Sequence, residues 1–171
     1  YDWTADPDLR YDASFSELLV REDGGMYEVQ ADYVRENIDT DALRQKYHAD
    51  NVVYFFLFNT PYEHTPNPWS LGFSSSTDYD IEYVNLYIRF GDMFDAPPST
   101  YAHEILHLFG AADLYVGSRD RFVTQPLAQY VLNTWPDAIM YYTYNSDNGI
   151  SYEHIEKTLC PLTAYRLGLV D

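Results

Sequence analysis

The sequence predicts a single domain of mixed α and β structure, because both strand patterns and helix patterns occur along its 171 residues. Residues 51–58 form a continuous apolar run of strand length. Residues 81–90 alternate between two faces, as a strand does. In 101–109, by contrast, apolar residues recur at helical spacing. A chain of this length is suited to one domain with one substantial core.

The N-terminal third is expected to contain a hairpin, a helical region and a strand. Residues 14–20 and 26–30 flank a glycine-containing turn sequence, which predicts two paired strands. Residues 32–47 carry a moderate helical pattern that we expect to break near Thr40. The apolar run 51–58 is bounded by polar residues and predicts a buried central strand.

The later elements are predicted from the same two periodicities and from prolines and serines. Residues 60–80 contain three prolines and a run of three serines, so we expect a long loop of a kind that often carries function. Residues 81–90 predict a strand, and 125–132 predict a helix. Residues 151–167 are expected to form the closing helix.

Composition and charge limit the possible partners. Lys and Arg number 10 against 27 Asp and Glu, a formal net charge of −17. Nucleic acid and anionic membrane surfaces would repel such a chain, so we expect neither as a partner. The charge favours neutral or cationic substrates, or it simply keeps the protein soluble, which is the preferred account. No apolar run is long enough to predict a membrane span, and the single cysteine, Cys160, is expected to be a buried thiol.

Residues 103–113, with the sequence HEILHLFGAAD, have the spacing of a catalytic zinc site. On an α-helix, His103 and His107 lie one turn apart on the same face and can bind one ion together. Glu104 points elsewhere on the helix and can act as a general base on a metal-activated water. A purely structural zinc site would have no use for that carboxylate.

The residues around this motif predict a helix followed by a turn. Two prolines precede it, and the hydroxyl of Ser99 or Thr100 could cap the start of the helix. Gly110 allows a positive φ, which ends the helix and returns the chain toward the metal. Asp113 then supplies a third ligand, and three protein ligands with one water are typical of catalytic zinc. The competing interpretation is an amphipathic helix with two buried, hydrogen-bonded histidines.

The motif resembles the signature of the metzincin zinc metallopeptidases, H-E-x-x-H-x-x-G-x-x-H, with Asp113 in place of the last histidine. It is most similar to the snapalysin-like form of that family, in which aspartate is the third ligand. The resemblance implies an α+β catalytic domain with a twisted mixed β-sheet packed on a long zinc-binding helix. It also implies an N-terminal subdomain of about residues 1–110 and a C-terminal subdomain of about residues 111–171 that ends in a helix.

A second part of the resemblance lies further along the chain. Metzincins carry a methionine in a tight turn beneath the metal, and Met140 occupies the corresponding place in residues 136–142. Tyr142 matches a tyrosine that can approach the zinc in some members. For Met140 alone, ordinary core filling would be the first explanation. The 18 tyrosines of the chain also make a chance match at Tyr142 easy.

The resemblance implies a zinc-dependent endopeptidase that hydrolyses peptide bonds with a metal-activated water. The expected metal ligands are His103, His107 and Asp113. Glu104 is expected to be the general base, and the hydroxyl of Tyr142 to help stabilise the oxyanion that forms.

The same resemblance predicts what binds the domain and where it acts. A peptide or protein substrate is expected to pair with a sheet edge formed by the strand from about Glu82 to Arg89. We expect a secreted monomer with one zinc ion. The many carboxylates would allow structural calcium, although no EF-hand pattern supports it. Because the chain starts at Tyr1 with no basic and apolar leader, we expect a trimmed or mature fragment.

Two other functions are compatible with these residues. One is a non-catalytic zinc-containing module that binds peptides or glycans, against which the presence of Glu104 argues. The other is a metal-dependent amidohydrolase that acts on a non-peptide amide. The residue patterns do not separate that activity from peptidase activity.

Overall fold

The computed structural model describes seven ranges of the chain: 26–58, 71–73, 81–87, 89–90, 94–118, 120–143 and 151–171. Within these ranges the protein has mixed α and β structure, which confirms the predicted class. The predicted strand at 14–20 and most of the predicted loop at 60–80 lie outside the described residues.

Ten elements are present in the described ranges. The helices are α1 (Met26–Asn37), α2 (Thr40–Tyr47), α3 (Pro98–Leu108), α4 (Gln125–Thr134) and α5 (Pro161–Arg166). The strands are β1 (Val53–Phe58), β2 (Leu71–Phe73), β3 (Glu82–Tyr87), β4 (Arg89–Phe90) and β5 (Phe94–Asp95). Among the described residues, no helix is long and apolar enough to cross a membrane.

Helix α1 shows that the predicted hairpin is wrong, because residues 26–30 are helical. Gln30, Ala31 and Val34 lie on one face of α1 and are fully buried. Their spacing is that of one helix face, whereas the window 26–30 is too short to separate a strand from the start of a helix.

The predicted break near Thr40 is confirmed, since two residues separate α1 from α2. The side chain of Asp39 accepts a hydrogen bond of 2.9 Å from the backbone N–H of Ala42, which caps the start of α2. Helix α2 ends at His48, which adopts a left-handed conformation with φ of 52°.

β3 is the middle strand of the described three-stranded sheet, whose order is β1-β3-β2. β1 runs parallel to β3, with Val53 opposite Glu82. β2 runs antiparallel to β3, with Gly72 opposite Val84. β4 and β5 form a separate two-stranded antiparallel ladder. The described part of the main sheet is therefore mixed.

This strand order corrects two predictions. The strand from about Glu82 to Arg89 is not a sheet edge, because β3 pairs on both sides and Arg89 belongs to β4. The run 51–58 is not the central strand of the described sheet, and Phe55 and Leu57 are 49% and 64% exposed. A continuous apolar run of this length is consistent with a strand, but the position of a strand within a sheet depends on partners elsewhere in the chain.

The sheet lies between two helices. Tyr83, on one face of β3, packs with Val34 of α1. Val84 and Leu86, on the other face, pack with Leu108 of α3. Asn85 is also fully buried, and its Oδ1 accepts a hydrogen bond of 2.9 Å from Gln30 Nε2 of α1. These contacts hold α1 against one face of the sheet and α3 against the other.

A second core is formed by residues that follow α3. Its members are buried apolar side chains from the turn after α3, from α4, from the Met140 turn and from the segment before α5: Ala111, Leu114, Val131, Ala138, Ile139, Met140 and Cys160. The predicted helix at 125–132 is confirmed as α4, and Cys160 is a buried free thiol as expected. The division into subdomains near residue 110 stays a prediction.

The closing helix is shorter than predicted, because only Pro161–Arg166 of the range 151–167 is α-helical. Cys160 has ψ of 161°, an extended conformation that the ring of a following proline favours. Thr158 pairs with Ala138 in an isolated parallel bridge, which joins this segment to the start of the Met140 turn. The segment before α5 therefore supports that turn through this backbone pairing.

Candidate metal centre

The helix that carries the motif starts without a side-chain cap, so the predicted cap at Ser99 or Thr100 is wrong. Pro97 is the N-cap and Pro98 the first helical residue, which places both hydroxyls inside the first turn. Proline is well suited to that first position, because its φ is helical and it has no N–H to satisfy. Ser99 instead donates a hydrogen bond of 2.5 Å to the carbonyl of Thr143, which ties α3 to the residues after Met140.

His103 and His107 lie one turn apart on α3, with His103 buried and His107 half-buried. Nδ1 of His103 lies 2.9 Å from the carbonyl oxygen of Ile139, and Nδ1 of His107 lies 2.9 Å from that of Ala111. A carbonyl oxygen only accepts, so in the neutral rings each Nδ1 carries the proton. Each Nε2 then presents a lone pair, as a metal-binding imidazole requires.

The turn after α3 brings Asp113 to these two nitrogen atoms. Gly110 has φ of +90°, the positive value that its position predicts. Its N–H donates to the carbonyl of His107. Asp113 Oδ1 then lies 3.0 Å from His103 Nε2 and 3.3 Å from His107 Nε2. These three side chains form a group that can hold a metal ion.

The geometry of this group fits a divalent metal. Asp113 Oδ1 is buried and has no hydrogen-bond partner, because both neighbouring Nε2 atoms present lone pairs when the Nδ1 atoms are protonated. Three acceptor atoms this close repel one another unless a cation lies among them. Tetrahedral zinc with bonds of about 2.0–2.1 Å separates its nitrogen and oxygen ligands by about 3.3 Å. The observed spacings are close to that value.

The electrostatics of the same three groups also favour a cation. Burial opposes ionisation of Asp113, but when the imidazoles carry a second proton, hydrogen bonds and charge from His103 and His107 outweigh burial and hold the pKa of the carboxyl well below its ordinary value. Burial also works against a charged His107. Its pKa is nevertheless raised, mainly by the hydrogen bond and charge of Asp113, and further by the carbonyl of Ala111 and the charge of Glu104. In the metal-free protein, a proton on His107 therefore supplies the positive charge that the Asp113 carboxylate attracts.

The loop that carries Asp113 is fixed from three directions. The N–H of Leu114 donates a hydrogen bond of 2.7 Å to the carbonyl of Met140. The hydroxyl of Tyr115 donates a hydrogen bond of 2.9 Å to Asp113 Oδ2. On the side of Gly110, Nε of Arg166 in α5 donates a hydrogen bond of 3.1 Å to the glycine carbonyl.

Met140 lies in a tight turn directly against the ligand-bearing segments. Its side chain is fully buried in the second core. The N–H groups of Tyr141 and Tyr142 both bond to the carbonyl of Ala138, at 3.0 and 3.2 Å. Ile139, also in this turn, supplies the carbonyl that orients His103. The turn thus supports the metal centre through backbone groups.

The two other predicted site residues lie on α3 and at the end of the Met140 turn. Glu104 is half-buried on α3 outside the ligand group, and its charge contributes to the raised pKa of His107. Tyr142 is 50% exposed at the end of the Met140 turn. The catalytic roles of Glu104 and Tyr142 stay predictions.

Sequence reasoning did not identify Tyr115 or Arg166 as part of this centre. Tyr115 is one of 18 tyrosines, so its position two residues after Asp113 carried no signal. Arg166 lies 56 residues from Gly110, and only the packing of α5 brings the two together.

Comparison of the chain with protein-family models, with curated proteins and with solved structures finds no match. The case for a function therefore depends on the motif and on the geometry of the metal centre.

Proposed function

We propose that this chain is a zinc-dependent endopeptidase of the metzincin type, nearest to the snapalysin-like form. The observation that carries the proposal is the approach of Asp113 Oδ1 to within 3.3 Å of both histidine Nε2 atoms, on a motif that also contains Glu104. A metal site that only stabilised the fold would not need a carboxylate beside its first ligand.

The metal ligands would be His103, His107 and Asp113. Zinc held there supplies a Lewis acid that makes water a nucleophile near neutral pH and polarises the carbonyl of a substrate. The carbonyls of Ile139 and Ala111 keep both imidazoles in the ligand tautomer and orientation. The carboxylate of Asp113 adds one negative charge to the ligand set.

Glu104 is proposed to be the general base and then the general acid. Its carboxylate takes a proton from the attacking water and passes it to the departing amine. Its half-buried position next to the first ligand supports this role. The hydroxyl of Tyr142 is proposed to donate a hydrogen bond to the oxyanion that forms on the scissile carbonyl.

The substrate is proposed to bind as an extended peptide along β2. In the described sheet β2 is an outer strand, and α3 packs against it. An extended peptide can add to such an edge through backbone hydrogen bonds, which do not depend on side-chain identity. This assignment replaces the strand from Glu82 to Arg89, which is enclosed on both sides.

Metal analysis combined with a digest of a mixed peptide library tests this proposal. We expect one zinc per chain, cleavage of library peptides, loss of cleavage with a chelator, and recovery when zinc is added back. A chain that binds zinc but cleaves no peptide would contradict the peptidase assignment. Hydrolysis of small non-peptide amides by that chain would point to an amidohydrolase, and no hydrolysis at all would point to a non-catalytic binding module.

A further inference from the structure

Tyr115 gives the two oxygens of the Asp113 carboxylate different partners. Its hydroxyl donates a hydrogen bond of 2.9 Å to Oδ2. The other oxygen, Oδ1, faces His103 Nε2 at 3.0 Å and His107 Nε2 at 3.3 Å. One oxygen is therefore directed at the metal ligands and the other is held by the tyrosine.

The backbone holds Asp113 and Tyr115 in this relation through the residue between them. Leu114 is 3% exposed in the second core, and its N–H donates a hydrogen bond of 2.7 Å to the carbonyl of Met140. Because Leu114 is fixed by both contacts, the side chains on either side of it remain outside that core and meet each other. The hydrogen bond of Tyr115 is therefore part of an ordered segment.

The ring of Tyr115 contributes little to the core, since the residue is 38% exposed and is not a member of the second core. A carboxylate can bind a metal through one oxygen or through both. A donor on Oδ2 occupies a lone pair there and opposes rotation of the carboxylate, which keeps Oδ1 directed at the histidines.

We propose that Tyr115 is a positioning residue that fixes Asp113 as a one-oxygen metal ligand and so sets the metal affinity of the centre. The inference rests on the metal centre of the proposed function and does not depend on peptidase activity. Partners of this kind, which hold a ligand without touching the ion, typically contribute 10–100-fold to metal affinity.

The test is the zinc affinity of the full-length Tyr115→Phe variant, measured by competition with a chromogenic chelator. Tyr130→Phe is the matched control, because Tyr130 is a half-exposed tyrosine on α4 whose ring contacts Trp135. We expect Tyr115→Phe to bind zinc about 10–100-fold more weakly than wild type, and Tyr130→Phe to bind like wild type. A loss of about tenfold or more supports the proposal, and a smaller loss overturns it.

Two further measurements separate positioning from a general loss of structure. The metal-free Tyr115→Phe variant is expected to melt at the wild-type temperature. Its cobalt-substituted form is expected to have an altered visible absorption spectrum, because the Asp113 carboxylate is no longer fixed. A lowered melting temperature with an unchanged cobalt spectrum overturns the proposal. Wild-type protein that binds no zinc overturns this proposal and the proposed function together, whereas equal zinc binding by wild type and variant overturns only the role of Tyr115.

Discussion

The carboxylate of Asp113 contacts the other two proposed metal ligands and also a residue that holds it in place. Its Oδ1 faces both histidines, and its Oδ2 is held by Tyr115. The histidines are likewise held through their second ring nitrogens by backbone carbonyls. In each proposed ligand, one side-chain atom is available to the metal and the other is hydrogen-bonded within the protein. This arrangement orients the ligands before an ion binds.

The charges of Asp113 and His107 predict how the stability of the metal-free protein depends on pH. The pKa of Asp113 is lowered in the folded state, so its contribution is fully present above about pH 4 and is lost as pH falls through the folded value. The pKa of His107 is raised, so its contribution is fully present below about pH 6.5 and is lost as pH rises through the folded value. The pair therefore stabilises the metal-free fold most between these limits.

Urea unfolding of chelator-treated protein at pH 5.5 and pH 8 measures this effect. We expect Asp113→Asn to lose more unfolding free energy, relative to wild type, at pH 5.5 than at pH 8. An equal loss at both values would contradict the coupling between the two groups. Zinc affinity should change in the opposite direction and rise toward pH 8, because a protonated imidazole cannot bind the ion.

At the scale of elements, the turn between α3 and Asp113 decides whether the three ligands meet. Gly110 has φ of +90°, and a Cβ added there would meet nothing within 4 Å. Substitution by alanine would therefore be opposed by backbone conformation and not by crowding. The carbonyl of Gly110 also accepts the hydrogen bond from Arg166, so α5 holds this turn in place.

Gly110→Ala is expected to lower the unfolding free energy by about 1–2 kcal/mol and to weaken zinc binding. Gly117→Ala is the matched control, because Gly117 has φ of +89° and similar open space but lies beyond the ligands. Both variants should lose similar stability in urea unfolding, and only Gly110→Ala should lose zinc affinity. Equal zinc affinity in the two variants would contradict the assigned role of the turn.

At the scale of the whole molecule, the metal centre joins two cores. His103 and His107 lie on α3, which packs on the sheet beside Val84 and Leu86. Asp113 lies between Ala111 and Leu114, which both belong to the second core together with Met140. An ion bound by all three residues would link these parts, so metal binding should stabilise the fold as a unit.

Thermal unfolding should therefore depend on zinc. Free zinc at about 100 times its dissociation constant is expected to stabilise wild-type protein by about 2.7 kcal/mol. The same addition should leave the melting temperature of Asp113→Ala nearly unchanged. Equal stabilisation of both proteins would show that zinc binds elsewhere.

The sequence was sufficient where local geometry decides the outcome. His103 and His107 are four residues apart on a helix, and Gly110 permits the turn that carries Asp113, so their grouping could be predicted. The start of α1 could not be, because a five-residue window does not separate strand from helix.

Contacts between residues far apart in the chain could not be predicted from the sequence, for physical reasons. The central place of β3 depends on β1 and β2, whose pairing its own alternation does not encode. The bond from Arg166 to Gly110 depends on the packing of α5 across 56 residues. The late start of the closing helix, by contrast, has a local cause in Pro161, whose ring favours an extended residue before it.

The most direct test of the central claim uses a library peptide that the wild-type protein cleaves. Its hydrolysis by Glu104→Gln is measured at a zinc content equal to that of wild type. The substitution keeps the size of the side chain and removes its ability to take a proton. We expect unchanged zinc stoichiometry and a fall in kcat of about 10²–10⁴-fold, the usual contribution of a general base. Near wild-type hydrolysis by a zinc-loaded Glu104→Gln protein would contradict the proposed function.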